Sequence, residues 1–366
     1  MNGLISARQL MLMILVAKIS VMVIFLPVVT GGDARQDAWI AAILATLAGS
    51  LFGALMASLA MRFPGKSFGS FAQDVLGGVL GRAAAVLVAL SLYGMAVLRS
   101  RVLAFIIVSE VMRETPEWVF GLSILVAATY GSTLGPDAMG RASEAIFTIV
   151  MGSIVIGIAL VLVSRVGPAT SLKPVLERGI GPVLGATITP VFYFATSAAM
   201  VLALGKYCTE PRRLRGAVVA SLLISGVVLT TITALVVTTL GPHTAGHELA
   251  PVLALGKAVF FEGILERLDL PLIAVWALGL AFEVTLLLLS SSIILGDAFG
   301  LQFRHVAVGL ALVAMVLVSL QATTIFDYKQ VISPEVTGPL TLVVHVGLVG
   351  LVLIVASIRG KGRKDG

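Results

Sequence analysis

A chain of 366 residues with 58% hydrophobic and only 12% charged residues is too apolar for a soluble globular protein, in which about a quarter of the residues are charged. Its apolar runs are long and continuous, which excludes the alternating pattern of an outer-membrane barrel and leaves an all-α integral membrane protein. The net charge of +6 sits mostly in short interhelical loops and the tail, so it reads as membrane topology rather than as nucleic-acid binding.

About ten spans are expected, near residues 8–29, 37–61, 83–112, 119–133, 142–164, 186–205, 215–240, 269–295, 305–323 and 338–358. The first is too long for a signal-peptide core and no small-residue cleavage site follows it, so it is kept as a span. It carries Lys18, Ile19 and Ser20 at mid-depth, with Met22 one turn on and Pro27 beyond. The third span is long, as suits a tilted helix, and holds Tyr93, Met95, Arg99 and Arg101. The fourth is short. The sixth reads Tyr193-Phe194-Ala195-Thr196-Ser197 after Pro190. Residues 250–261 are moderately apolar and predict a helix lying at the interface. His243 and His247 have a spacing that binds metal on a helix, but Gly241, Pro242 and Gly246 predict a plain loop. The eighth span is an apolar run with one charge near its middle, Glu283, followed by Leu287 and then Ser290-Ser291-Ser292. Residues 1–366 are expected to form a single transmembrane domain, with no soluble domain before or after the bundle. The one cysteine, Cys208, excludes an internal disulfide framework.

The Lys and Arg residues outside the spans divide between the two sides as about 14 against 8, and the richer side holds both termini. The positive-inside rule makes that side cytoplasmic, which requires an even number of spans. Ten spans divide into five plus five, with repeats at approximately 8–164 and 186–358. In inverted-repeat transporter folds the first span of each half is broken at mid-membrane. Lys18-Ile19-Ser20 and Tyr193 to Ser197 hold the matching positions. Small and hydroxylated residues there are compatible with unwinding, and equally with ordinary close packing of unbroken helices.

Several fragments together resemble a known family. Ser6-Ala7-Arg8-Gln9-Leu10 leads into a span ending Phe25-Leu26-Pro27, and Asp37-Ala38-Trp39-Ile40 opens the second. Arg101 and then Thr115-Pro116 follow, and Gly140-Arg141-Ala142-Ser143-Glu144 opens the fifth span. Lys173-Pro174-Val175-Leu176 and Gly179-Ile180-Gly181-Pro182 precede the sixth, and Glu266-Arg267-Leu268-Asp269 with Trp276 marks the eighth. In this order they resemble the spore germination permease family, the GerAB-type B subunits of nutrient germinant receptors, within the amino acid–polyamine–organocation superfamily. The resemblance implies a five-plus-five, LeuT-like bundle in the inner membrane of a bacterial spore. It implies an A subunit with membrane spans and a lipid-anchored C subunit as partners, and a nutrient, often an amino acid, as ligand. One departure stands out. The Gly-x-Glu common in the sixth span of the family falls here on Thr196-Ser197-Ala198, so that carboxylate is missing. Glu283 supplies a carboxylate from the eighth span instead.

A carboxyl at mid-depth costs about 2.5–3.5 kcal/mol even on the lower scales, so Glu283 needs a partner or a function. Three arrangements fit. Lys18 and Glu283 form an ion pair; or Glu283 holds a ligand ammonium while amides near Ser20 hold its carboxylate; or Glu283 is protonated. Arg99 and Arg101 are two apart and cannot share a helix face. Arg101 matches a family position and is expected to bond carbonyls or a carboxylate between helices, whereas Arg99 suits snorkelling or a local pairing. The expected ligand-binding residues are Lys18, Ser20, Met22, Tyr93, Met95, Phe194, Ala195, Thr196, Ser197, Glu283 and Leu287, between spans one, three, six and eight. No nucleophile–base set, phosphate loop, metal constellation or cofactor motif appears, and no enzymatic chemistry is expected. The sequence thus predicts a nutrient-sensing membrane subunit that triggers germination. The alternative is a proton-coupled amino acid transporter of the same superfamily in which Glu283 titrates, and a third reading is a scaffold for the other subunits.

Overall fold

The computed structural model describes residues 4–31, 34–164, 172–247, 251–258, 269–320 and 334–362, and within them ten helical stretches occupy the ten expected spans. Helices α1 (Ala7–Gly31) and α2 (Ala38–Arg62) are followed by a short α3 (Phe68–Leu76) and the long α4 (Gly78–Glu110). Helices α5 (Glu117–Leu134) and α6 (Pro136–Ser164) complete the first half. The sixth span is α7 (Ile180–Ala199), continued past a turn at Met200 by α8 (Val201–Leu204). Then come α9 (Leu214–Leu240), the short α10 (Pro242–His247) and α11 (Pro251–Ala258), and the long α12 (Asp269–Phe299). After α13 (Phe303–Leu320), the tenth span is α14 (Pro334–Leu342), a π-helical stretch Val343–Leu348 and α15 (Val349–Ile358). Among the described residues seven helices are long and apolar enough to cross a bilayer, and the chain is a multi-pass membrane protein.

Backbone chemistry sets the joints. Gly77 and Gly135 both stand at φ +91°, a region closed to most side chains, and each ends one helix where the next begins. Pro136 then opens α6 at a position where its missing N–H costs nothing. The same pairing corrects the loop expected around His243. Gly241 (φ +80°) ends α9 and Pro242 starts α10, so these residues punctuate two helices instead of preventing one. No group of three or more His, Cys, Asp or Glu is placed to hold a metal among the described residues. A helix is present within 250–261, α11.

Neither first span is broken at the residues that left unwinding and close packing equally open. Helix α1 runs unbroken through Lys18-Ile19-Ser20, and α7 runs through Tyr193 to Ser197 before turning at Met200. The hydroxyls explain it. Ser20 Oγ donates to Val16 O at 2.8 Å, Thr196 Oγ1 to Phe192 O at 3.0 Å and Ser197 Oγ to Tyr193 O at 3.0 Å. Each bonds back one turn on an intact helix rather than replacing a lost backbone bond.

Two elements form the centre. In the most apolar window of the 180–207 stretch 94% of residues are buried, against 11% in α6, which places the sixth span inside and α6 at the lipid-facing edge. In α1, every described side chain from Leu12 to Ser20 is buried. Close approach relies on glycine, since apolar side chains gain little by leaving lipid for protein and backbones must come near each other. A Cβ at Gly49 would strike Phe194, one at Gly226 would strike Thr46, and one at Gly279 would strike Ser20. At the opposite end from the N-terminus, Gln36 Nε2 donates to Pro174 O at 3.1 Å and Leu176 N donates to Asp37 Oδ1 at 3.0 Å, so the loop before α7 is pinned to the start of α2.

The end of the bundle that carries the N-terminus is closed by a tie. Lys206 Nζ lies 2.8 and 2.9 Å from the two carboxylate oxygens of Asp297 at the end of α12, and Ser67 Oγ before α3 donates to the same carboxylate. Ile5 N donates to Tyr207 O at 3.0 Å and Thr209 N donates to Ile5 O at 3.0 Å, a single parallel bridge between Ile5 and Cys208. Ala7 N donates to Glu210 Oε2, so the carboxylate also caps α1. Cys208 is buried in this tie, and burial pushes its thiol up from the ordinary value. Charge-assisted bonds of this kind are worth about 1.5–3 kcal/mol. Replacing Asp297 with Asn is expected to speed maleimide labelling of Cys208, the only cysteine, by roughly tenfold. Unchanged labelling would show that Lys206 and Asp297 do not hold this end shut.

Candidate functional site

Two features meet inside the bundle: a buried charge cluster and an apolar cavity beside it. The cluster is built from α1, α4, α7 and α12. Arg99 Nε on α4 lies 3.6 Å from Glu283 Oε1 on α12, with both side chains almost completely buried. The Arg99 guanidinium sits 4.6 Å from the centre of the Tyr193 ring. Lys18 Nζ lies 3.9 Å from the centre of the Phe194 ring and 5.8 Å from that of Tyr193. It is attracted by Glu283 and repelled by Arg99.

Two basic side chains, Lys18 and Arg99, therefore face one carboxyl group, that of Glu283. The ring faces of Tyr193 and Phe194 supply the negative potential that a second carboxylate would give. Desolvating these groups is expensive, so the cluster is held by its mutual fit and contributes little net stability, while breaking it is costly. The ion-pair partner of Glu283 is thus Arg99, and Lys18 is seated on an aromatic face. The sequence pointed to Glu283 but treated Arg99 as peripheral, because spacing along α4 does not reveal which helix it faces.

The other expected residues are buried, and most do not border a cavity. The Tyr93 hydroxyl donates to Leu310 O on α13 at 3.0 Å. Met95, Ala195 and Leu287 are packed into the core, and Thr196 and Ser197 bond back along α7. Arg101 Nε lies 3.9 Å from Glu117 Oε1, joining α4 to the start of α5. Ser291 Oγ donates to Ala89 O on α4 at 2.8 Å. The side chain of Met22 lies outside the described residues.

The cavity, of about 290 Å3, lies among α1, α6, α9, α11 and α12. Ile19, Ser20 and Val150 line it together with Trp276, and Ile154, Gly157, Ile232, Leu253, Gly256 and Leu272 complete much of its wall. Ser20 is the one member of the expected set that borders it. Its polar donors are already committed. Trp276 Nε1 donates to Ser20 O at 2.7 Å, Ser20 Oγ to Val16 O, and Ser153 Oγ to Val150 O at 2.8 Å. No charged side chain is among the described residues that line it. A Cβ on Gly157 would meet nothing within 4 Å, so this glycine faces open space. A glycine inside a helix costs up to about 1 kcal/mol relative to alanine, and Gly157 is the sequence signal that could have drawn attention to α6.

The family model for spore germination proteins matches residues 4–326. Spore germination protein KB of Bacillus subtilis (strain 168) is 25% identical over 285 residues, covering 78% of this chain and 76% of that one. Spore germination protein YndE of the same strain is 23% identical, covering 98% of each chain. Among solved structures, MhsT in complex with L-phenylalanine superposes with a TM-score of 0.65 at 15% identity, covering 97% of this chain and 89% of that one. Mhp1, a nucleobase-cation-symport-1 family transporter, in a closed conformation with bromovinylhydantoin bound gives 0.68 at 16% identity, covering 99% and 82%. These likenesses show the fold: an all-helical, LeuT-like transporter bundle.

The charge cluster makes an ordered prediction for stability in detergent. Glu283→Gln leaves two buried cations facing each other and is expected to cost about 3–5 kcal/mol. Lys18→Met leaves the Arg99–Glu283 pair intact and should cost much less. Adding Lys18→Met to Glu283→Gln should restore part of the loss, a coupling read from a double-mutant cycle of unfolding free energies. Additive effects, or a larger loss from Lys18→Met than from Glu283→Gln, would refute the shared carboxylate.

Proposed function

The chain belongs to the spore germination permease family, and on that premise we propose that it is the nutrient-sensing membrane subunit of a spore germinant receptor. The proposed ligand is a small nutrient, an amino acid in the first instance. The proposed partners are an A subunit with membrane spans and a lipid-anchored C subunit, in the inner membrane of the spore with both termini cytoplasmic. The role is recognition and signalling rather than chemistry.

The observation that carries this reading is the cavity bordered by both α1 and α12. Those two helices touch through the bond from the Trp276 indole to Ser20 O and through the Ser20 side chain against Gly279. A molecule seated in the cavity contacts this joint directly. If it binds one arrangement of the joint better than another, it shifts the bundle by that difference in affinity, and partner subunits that prefer the same arrangement receive the signal. The expected pocket between spans one, three, six and eight is replaced in this proposal by one between spans one, five, seven and eight, roofed by α11. The complex of MhsT with L-phenylalanine supports an amino acid as a ligand that this fold accommodates.

The competing reading is proton-coupled transport. It requires Glu283 to reach water in some state, whereas here it is buried against Arg99. Thermal unfolding of the purified protein against a panel of amino acids, with counterflow in liposomes, separates the two. The expected result is a saturable rise in stability for a subset of compounds, about 2.7 kcal/mol at a concentration of 100 Kd, without uptake driven by a pH gradient. Accumulation driven by that gradient would replace sensing with transport.

A further inference from the structure

The cavity also restricts what can enter it, an inference that rests on the sensing role only in taking the cavity as the ligand site. Its wall is hydrocarbon from five helices. The hydroxyls of Ser20 and Ser153 and the Trp276 indole N–H have acceptors within the protein, and Lys18, Arg99 and Glu283 are not among the residues that line the cavity. A charged or strongly polar group placed inside would give up its hydration and find no partner. A branched or aromatic hydrocarbon would give up nothing and would be released from water.

We propose that the cavity takes the uncharged, branched or aromatic side chain of an amino acid, with the ammonium and carboxylate left at its mouth, and that Gly157 sets the size accepted. The position of Gly157 makes this specific. Its missing side chain opens onto the space: a Cβ there meets no protein atom within 4 Å, so a side chain added at this position would take volume the ligand would use. Gly256 has a different role: a Cβ there would come within 2.8 Å of Leu272 Cδ1, so its substitution disturbs the wall as well.

Pairs of nearly equal shape test the class directly. Binding of L-leucine against L-asparagine, and of L-valine against L-threonine, is measured by ligand-induced thermal shift on the native sequence. It is measured again by fluorescence of Trp276 in a Trp39→Phe/Trp118→Phe background. The apolar member is expected to bind roughly tenfold or more tightly. Gly157→Leu should weaken L-leucine and L-phenylalanine at least tenfold with no loss of unliganded stability, and Gly157→Ala should favour L-valine over L-phenylalanine. Equal binding within the pairs would overturn the class. L-Leucine binding left unchanged by a folded Gly157→Leu protein would overturn the site.

A hydrocarbon site in a membrane could also be filled by lipid. In vesicles of brominated phosphatidylcholine, quenching of Trp276 that L-leucine relieves supports the proposal. Quenching that no amino acid relieves assigns the cavity to an acyl chain and overturns it. Spores carrying Gly157→Leu keep the two levels apart. A normal nutrient response together with lost leucine binding removes the sensing role and leaves the specificity standing. A response lost for polar nutrients alone, with no preference for leucine in vitro, does the reverse.

Discussion

One carboxylate, Glu283, balancing two cations in the middle of a hydrocarbon bundle is the constraint around which the centre is arranged. In water the three side chains would be independent. Inside, each costs several kcal/mol to desolvate, and the cost falls only if opposite charge and polarizable faces surround it on every side. That explains why α1, α4, α7 and α12 converge at one depth: Lys18 comes from the first, Arg99 from the second, Tyr193 and Phe194 from the third and Glu283 from the fourth. The rings are part of the electrostatics as well as the packing.

The cavity contrasts with the cluster. No charged side chain is among the described residues that line the space next to the cluster, and its wall stays apolar although Lys18 directly precedes Ile19 and Ser20. Glycine allows the backbones to meet at the Ser20–Gly279 joint, and a missing side chain at Gly157 leaves room one helix away. The same residue type serves contact in one place and vacancy in the other. At the N-terminal end the logic reverses: charged groups that would be costly in the middle, Lys206, Asp297 and Glu210, tie the helix ends where they are only partly buried.

Much of this was legible in the sequence, and the failures have physical reasons. Apolar run length gave all ten helical stretches, because spanning a bilayer fixes both length and composition. The fragments that carried the family resemblance held over residues 4–326. Ser20, Thr196 and Ser197 suggested unwinding, yet a hydroxyl serves an intact helix as well as a broken one, and here it bonds back one turn. Gly241 and Pro242 looked like breakers of one helix and are the end of one and the start of the next.

What the sequence determined alone was local in one dimension: which segments form apolar helices of spanning length, and that a charge at residue 283 had to be accounted for. Only the tertiary structure decided which cation accounts for it. Lys18, Arg99 and Arg101 are equivalent by composition and depth, but a rotation of about 100° per residue points neighbours on α4 in unrelated directions. Arg99 thus meets Glu283, and Arg101 meets Glu117. The cavity belongs to the same class of fact. Its wall comes from five helices far apart in the chain, and a space bordered by all of them is a property of none.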